Sequence, residues 1–394
     1  MSETTESIHS SKLQVASPPG IPEQLSFDRV INNGTCPPCT LRDFMDYLLY
    51  IEHAAEHLQF FMWFRGYVKK FEFLPRSDKA LSPEWTHQNQ KDALDEWKKL
   101  QANIQKQIPN TTVNEVLKGT MFSKESSAGV PCAGFDSGNP FATPPTSSHV
   151  TIQPFRKEIE HIIQTYIAEE SPRELNISSG QRKTLLKALE ATTHPSAFSR
   201  VISDVESVLR NQLHPNFIRW TICNGNRPRV MFARGLGITL TLAGVSIELL
   251  LTLSDVGRGY RALGAIALVI GTATLIAAAK GMCVVLHGMH HRHLRPWELF
   301  TDAEADKDPG GGAYSMRESV DSVQSANSYE DAPWVVSYQK RNIVRKIFDR
   351  EIRVQEPALK QIQDMIFVQS MLIAFAVSLL ITAIFVAVPK HGYI

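Results

Sequence analysis

Three long apolar runs constrain this chain more than any other feature of its sequence. They occupy residues 231–253, 262–287 and 366–388, and the third run contains no charged residue. At about 1.5 Å of rise per residue, each run is long enough to cross a hydrocarbon core about 30 Å thick. The sequence therefore predicts a multi-pass membrane protein with three transmembrane helices, preceded by a more polar amino-terminal half.

The distribution of Lys and Arg predicts how these helices are oriented. Basic residues are dense before the first run, after the second and before the third, whereas the 254–261 connection and the carboxyl-terminal tail carry few. Loops rich in Lys and Arg stay in the cytosol. We therefore expect a cytosolic amino terminus, a cytosolic 288–365 loop and an extracytosolic carboxyl terminus, in the plasma membrane or an endomembrane.

Composition excludes some classes of function. The chain has 394 residues, with 41 Lys and Arg against 40 Asp and Glu. A balanced charge argues against a dedicated nucleic-acid binder, which needs a basic face for phosphates. Cys36 and Cys39 have no second pair at a zinc-ligand spacing. No nucleophile constellation or glycine-rich phosphate loop stands out, so we expect no cofactor, no metal and no active site of the chain's own.

The residues ahead of the first run predict an all-α domain. Between 41 and 73, apolar residues recur at helical spacing, and no stretch of this half alternates as a strand does. Residues 1–24 predict a disordered tail, and a Ser-, Gly-, Thr- and Pro-rich stretch at about 109–150 predicts a flexible insertion. The helical domain accordingly spans 25–220.

The loop between the second and third runs divides into two parts. Residues 288–333 predict a disordered acidic cytosolic segment, and residues 334–360 predict an amphipathic basic helix. The candidate membrane-surface residues of this helix are Lys340, Arg341, Arg345 and Lys346. Two interpretations stay open: the helix lies on the anionic inner leaflet, or it is an ordinary cytosolic extension of the third transmembrane helix.

Polar residues inside and beside the runs are further candidates. Glu248 and Lys280 lie at depths about 12 Å apart, so we expect them not to touch, and Glu248 to face another helix or the outer headgroups. Four histidines follow the second run, beside two arginines. We interpret them as an interfacial cationic belt, with a metal site as the alternative. The histidines are His287, His290, His291 and His293.

The helical domain resembles a regulator-of-G-protein-signalling (RGS) domain split by an insertion. The first half of the resemblance lies in SFDRVINN at 26–33 and TLRDFMDYLLYIEHAAEHLQFFMWFRGYVKKF at 40–71. The second half lies in ELNISSGQRKTLLKAL at 174–189 and AFSRVISDVESVLRNQLHPNFIRW at 197–220. The family's Glu-Asn-Leu-x-Phe-Trp type of run stands here as Glu56-His57-Leu58-Gln59-Phe60-Phe61.

The resemblance implies an activity and a set of contact residues. RGS domains hold the switch loops of an activated Gα subunit in the shape of the hydrolysis transition state, while Gα supplies the catalytic arginine. His57, Gln212 and Asn216 depart from the family's usual residues. By resemblance, the Gα-contact positions are Glu56, His57, Asn176, Val208, Gln212 and Asn216.

An RGS domain followed by three membrane spans is similar to a fungal family of membrane-anchored RGS-like proteins linked to bud-site selection and cell polarity. The resemblance implies a regulator of heterotrimeric G-protein signalling, with activated Gα, an anionic inner leaflet and a partner membrane protein as its binding partners. The departures at His57, Gln212 and Asn216 keep an alternative open: a polarity landmark or scaffold whose RGS-like domain lacks GTPase-activating activity.

Overall fold

The computed structural model describes residues 20–107, 153–254, 256–299, 327 and 333–389. The fold is all-α, as predicted, with one short two-stranded ribbon. The described residues form two compact units. The bundle unit comprises 56–206, and the membrane unit comprises the described residues within 20–55, 207–299 and 327–389. The predicted insertion at about 109–150 and most of the predicted 1–24 tail lie outside the described residues.

Nine α-helices precede the first membrane span among the described residues. They are α1 (Phe27–Ile31), α2 (Leu41–Tyr47), α3 (Ala55–Glu72), α4 (Arg76–Lys79), α5 (His87–Gln107), α6 (Arg156–Ile162), α7 (Ser179–Ala191), α8 (Ser199–Val208) and α9 (His214–Ile222). Three π-helical turns extend α2, α6 and α8, at Leu48–Glu52, Ile163–Ile167 and Leu209–Leu213. Short 3-10 turns lie at Glu23–Leu25 and Pro195–Phe198.

Aromatic side chains form the core of the bundle unit. The ring of Phe60 on α3 lies 6.0 Å from that of Phe198 and 5.8 Å from that of Tyr166, centroid to centroid. Tyr67, about two turns further along α3, is fully buried and donates its hydroxyl to the carbonyl of Thr193. The aromatic side chains of α3 are therefore a packed core, which ties residues before the predicted insertion to residues after it.

Local sequence explains where α7 begins. Ser178 accepts a hydrogen bond from the Gln181 backbone N–H, and the Gln181 side chain accepts from the Ser178 N–H in return. This capping box satisfies two donors that the first turn of a helix leaves without partners. The sequence Ser178-x-x-Gln181 thus sets the start of α7.

Three helices of the membrane unit are long and apolar enough to cross a membrane: Arg227–Leu253, Arg258–Ala279 and Pro357–Ala387, here called the first, second and third spans. The first and second spans approach backbone to backbone. A Cβ added at Gly271 would lie 2.6 Å from the backbone N of Thr241. Small residues of this kind allow close packing where no hydrophobic effect drives helices together.

Two span boundaries differ from the prediction. The second span ends at Ala279, not at residue 287, because Lys280 leaves the helical conformation and Gly281 takes a φ of +78°. A separate short helix, Val284–Gly288, follows. The third span begins before the apolar run, at Pro357, since Glu356 caps the helix and proline suits its first turn.

The predicted basic helix at 334–360 is wrong as a single element. The chain instead forms helices Pro333–Gln339 and Ile343–Ile347, then a strand, before the third span starts. Strand β1 (His291–His293) pairs antiparallel with β2 (Glu351–Arg353), with Arg292 opposite Ile352. The backbone at 351–353 thus finds its hydrogen bonds across a ribbon rather than within a helix. The first residues of the predicted disordered segment, 288–299, are folded for the same reason.

Candidate functional site

Three of the predicted contact positions lie in the membrane unit, around the turn that joins α8 to α9. Asn216, in the first turn of α9, donates its side-chain amide to Oε1 of Glu52 over 3.0 Å. Tyr47 donates its hydroxyl to the same oxygen over 2.7 Å. Burial, together with this bond to Glu52, raises the pKa of the Tyr47 phenol. Asn216 is therefore held in place by a carboxylate that the sequence analysis did not single out.

The other two positions of this group make fewer contacts. Gln212 lies exposed in the Leu209–Leu213 π turn, and Val208, the last residue of α8, is half-buried. The π turn widens the helix by one residue per turn. It places Gln212 on the surface while Leu209 and Leu213 stay buried.

The remaining three positions lie in the bundle unit. His57 is 9% exposed, and its Nδ1 lies 3.0 Å from Oε1 of the half-buried Glu56. Glu56 also faces Tyr166, whose pKa is raised, chiefly by burial. Asn176 is exposed, between the fully buried Leu175 and the cap of α7.

A backbone bond fixes the segment that carries Asn176. The N–H of Leu175 donates to the carbonyl of Tyr166 over 2.9 Å, and the N–H of Arg173 donates to that of Thr165 over 3.1 Å. These bonds hold the 173–177 stretch beside the end of the π turn that follows α6. Asn176 is thereby presented by rigid neighbours rather than by a loose loop.

Glu52 and Tyr47 are residues that sequence reasoning missed. Glu52 lies within the helical pattern predicted between 41 and 73, where an acidic residue is expected on the exposed surface. The signal would have been the π turn at Leu48–Glu52, after which His53 takes a left-handed φ of 55°. Hydropathy alone does not reveal such turns.

A second group that the sequence analysis missed lies between the spans and α9. Four aromatic residues, here called the tryptophan cluster, pack together in the membrane unit: Tyr50, Trp220, Trp297 and Trp334. The Trp220 and Trp297 rings stack at 6.1 Å, and the Arg295 guanidinium lies 3.5 Å from the centroid of Trp220. The loop between the second and third spans therefore packs against Trp220 of α9 and against Tyr50 in the π turn after α2.

Two of the four histidines after the second span, His287 and His293, do not fit the predicted cationic belt. His293 is buried and lies 3.0 Å from Nη1 of Arg229, which also donates to Oε1 of Glu351 over 2.7 Å. Burial, with Arg229 next to it, lowers the pKa of His293 to about 4. Burial lowers the pKa of His287 as well. Among the described residues, no group of three His, Cys, Asp or Glu side chains could hold a metal ion.

The charged residues of the spans find separate partners, as predicted. Glu248 is fully buried, and its Oε1 accepts a hydrogen bond of 2.6 Å from Thr382 of the third span. Lys280 lies near Gln369, with Nζ 3.3 Å from its Oε1. The expectation that Glu248 faces another helix is thus confirmed. Arg261, also fully buried, donates to the carbonyls of Phe385 and Val388 at the end of the third span.

Comparison with known proteins identifies one domain. Residues 147–222 match the regulator of G protein signaling domain, a stretch that includes α6 to α9 and the positions Asn176, Val208, Gln212 and Asn216. No curated protein and no solved structure matches the chain. The match leaves the first half of the resemblance, 26–71, outside it.

The structure supplies what the match leaves out. In the membrane unit, Phe44 of α2 packs on Phe217 of the matched region, with ring centroids 4.9 Å apart. In the bundle unit, Phe60 of α3 packs on Phe198, which the match also includes. Helices from both sides of the insertion therefore share their cores.

Proposed function

We propose that this chain, an RGS-domain protein with three candidate membrane spans, is a membrane-anchored regulator of heterotrimeric G-protein signalling that binds activated Gα. The RGS match at 147–222 is the observation that carries the proposal. A regulator of this class needs no active site of its own, because it lowers the barrier by binding the transition-state shape of Gα better than the ground state.

The contacts around Cys36 and Ile222 support the role of the membrane anchor. The backbone N–H of Cys36 donates to Glu356, the cap of the third span, over 2.7 Å. Gln363 of that span donates to the carbonyl of Ile222, at the end of α9, over 3.0 Å. The segment at Cys36 and the end of α9 are thus hydrogen-bonded directly to the third span and are not connected to it only through a flexible linker. Since Gα subunits are lipid-anchored too, confinement to one surface raises their effective concentration.

The contact residues that we propose are those that the resemblance assigned. They are Glu56, His57, Asn176, Val208, Gln212 and Asn216. Where the family favours Asp and Arg, this chain has Gln212 and Asn216. Each charge-assisted bond lost in this way is worth about 1.5–3 kcal/mol. We therefore propose that the chain binds activated Gα and accelerates GTP hydrolysis less than a domain with the family's usual residues.

The test uses the full chain in nanodiscs. A 25–220 fragment would lose the bonds of Cys36 and Ile222 to the third span, and with them the setting of α9. Single-turnover GTP hydrolysis is measured for Gα subunits of the same organism, with and without the reconstituted chain. Asn176→Ala is the site variant, and Lys98→Glu/Lys99→Glu, on exposed α5 positions, is the control.

Acceleration by the wild type and by the control, reduced at least tenfold by Asn176→Ala, supports the proposal. Binding of activated Gα without any acceleration would remove the catalytic part and leave a landmark or scaffold. Absence of both binding and acceleration with every Gα tested would overturn the proposed function.

A further inference from the structure

The short helix Ile343–Ile347 lies against the amino end of the first span. The side-chain amide of Asn226, which caps that span, donates to the carbonyl of Lys346. The ring of Phe348 lies 5.9 Å from that of Phe232, centroid to centroid. Phe232 is little more than one turn into the span, or about 7.5 Å from its start at 1.5 Å per residue. With the first span inserted as proposed, Phe348 would lie near the depth where a bilayer passes from headgroups to acyl chains.

Apolar side chains on this helix face outward. Ile343 is 65% exposed, Val344 58% and Phe348 64%. Phe348 touches Phe232, which is itself 47% exposed on the span. The apolar surface of the short helix is thus continuous with the lipid-facing surface of the span. In water such an exposed apolar surface would promote aggregation, whereas at a membrane interface it can bind lipid.

Cations flank this apolar surface. Arg227, Lys340 and Arg345 are exposed, and within the described part of the chain none of them forms an ion pair with a carboxylate. Arg341 is different, because it donates to both carboxylate oxygens of Asp349, over 2.9 and 2.7 Å. The predicted membrane-surface set therefore separates. Arg341 is neutralised internally, Lys346 donates to the carbonyl of Gln339 over 3.2 Å, and Lys340 and Arg345 are left for an external anion.

We propose that Ile343, Val344 and Phe348, with the cations Arg227, Lys340 and Arg345, form an interfacial patch that binds anionic glycerophospholipids of the leaflet at the amino end of the first span. The apolar side chains enter the boundary of the acyl chains, and the cations meet the lipid phosphates and carboxylates. Continuity with the span favours a lipid over an acidic peptide as the occupant. The inference rests on the membrane insertion in the proposed function, and not on Gα binding.

The test is the selectivity of the full chain for phosphatidylserine over phosphatidylcholine. The chain is reconstituted in phosphatidylcholine vesicles with a trace of either lipid carrying a spin label, and electron paramagnetic resonance gives the fraction of label restricted by the protein. One lipid headgroup in contact with one basic residue gains about 1 kcal/mol, which corresponds to a preference of about fivefold for phosphatidylserine over phosphatidylcholine at that contact. We expect Lys340→Glu/Arg345→Glu to bring this preference close to one, and high salt to weaken it in the wild type.

Lys98→Glu/Lys99→Glu makes the same change in charge on α5 and should keep the wild-type preference. Retention of each variant in carbonate-washed vesicles shows that the spans are inserted, and its absence in the wild type would overturn the membrane anchor instead. A wild type without any preference, or a preference that Lys340→Glu/Arg345→Glu leaves unchanged, would overturn the patch.

Discussion

His214 should give the membrane unit a pH dependence that one substitution removes. The side chain is 1% exposed and packs edge-on against Phe27 and Phe44, with ring centroids 5.9 and 6.1 Å away. Burial lowers the pKa of His214 from 6.5 to about 4, and Arg210 adds to the effect.

The direction of the effect follows from proton uptake. Between pH 6.5 and 4 the unfolded chain binds a proton at His214 that the folded chain does not, so stability is present at high pH and lost as pH falls through this window. For these two pKa values, the free energy of unfolding at pH 5 is about 2 kcal/mol lower than at pH 8. For a unit of this size, that corresponds to a melting temperature about 4–8 °C lower.

The assay is thermal unfolding of the full chain in nanodiscs from pH 8 to pH 5, followed by tryptophan fluorescence. His214→Leu and His214→Phe cannot titrate, and each is compared with the wild type at every pH. His293 and Asp46 also have shifted pKa values, but they are present in all three chains and cancel in the difference. If both variants lose as many degrees between pH 8 and pH 5 as the wild type does, the reasoning about His214 is wrong.

Three further predictions concern packing and charge in the membrane unit. Trp297→Ala, which empties the centre of the tryptophan cluster, should cost about 3–5 kcal/mol in the same melts, and Trp297→Phe much less. Gly271→Leu should separate the first two spans and lower the melting temperature, because its Cβ would lie 2.6 Å from the Thr241 nitrogen. A Cβ at Gly235 would meet nothing within 4 Å, so Gly235→Leu should be neutral. Burial raises the pKa of Asp46 to about 7, so the folded chain keeps a proton that the unfolded chain releases, and the free energy of unfolding falls as pH rises toward 7. Asp46→Asn should therefore stabilise the chain more at pH 8 than at pH 4. Equal effects at both pH values would contradict this.

The features that the sequence predicted well are those with a local cause. Span existence follows from the length of each apolar run, and the all-α class follows from the helical spacing of the apolar residues between 41 and 73. Span ends were less accurate because backbone conformation sets them: Gly281 ends the second span early, and Pro357 starts the third one before the apolar run begins. Hydropathy carries no information about either cause.

The features that the sequence missed depend on contacts between distant residues. Asn216 bonds to Glu52 across the whole bundle sequence, so the setting of this contact position could not be read from its neighbours. The predicted basic helix failed for the same reason. Its residues 351–353 pair with 291–293 as a ribbon, and Arg341, a predicted membrane-surface residue, forms an ion pair with Asp349. The sequence pattern predicted helix correctly at 334–339 and 343–347 and wrongly at 351–353.

The proposed role as a Gα regulator is tested most directly by the nucleotide state that the chain prefers. The full chain in nanodiscs is titrated with Gα subunits of the same organism, loaded either with GDP alone or with GDP and aluminium fluoride, which mimics the transition state of hydrolysis. We predict binding at least tenfold tighter to the aluminium fluoride form, with the preference reduced by Asn176→Ala. Equal affinity for the two forms, or binding to neither, would contradict the account.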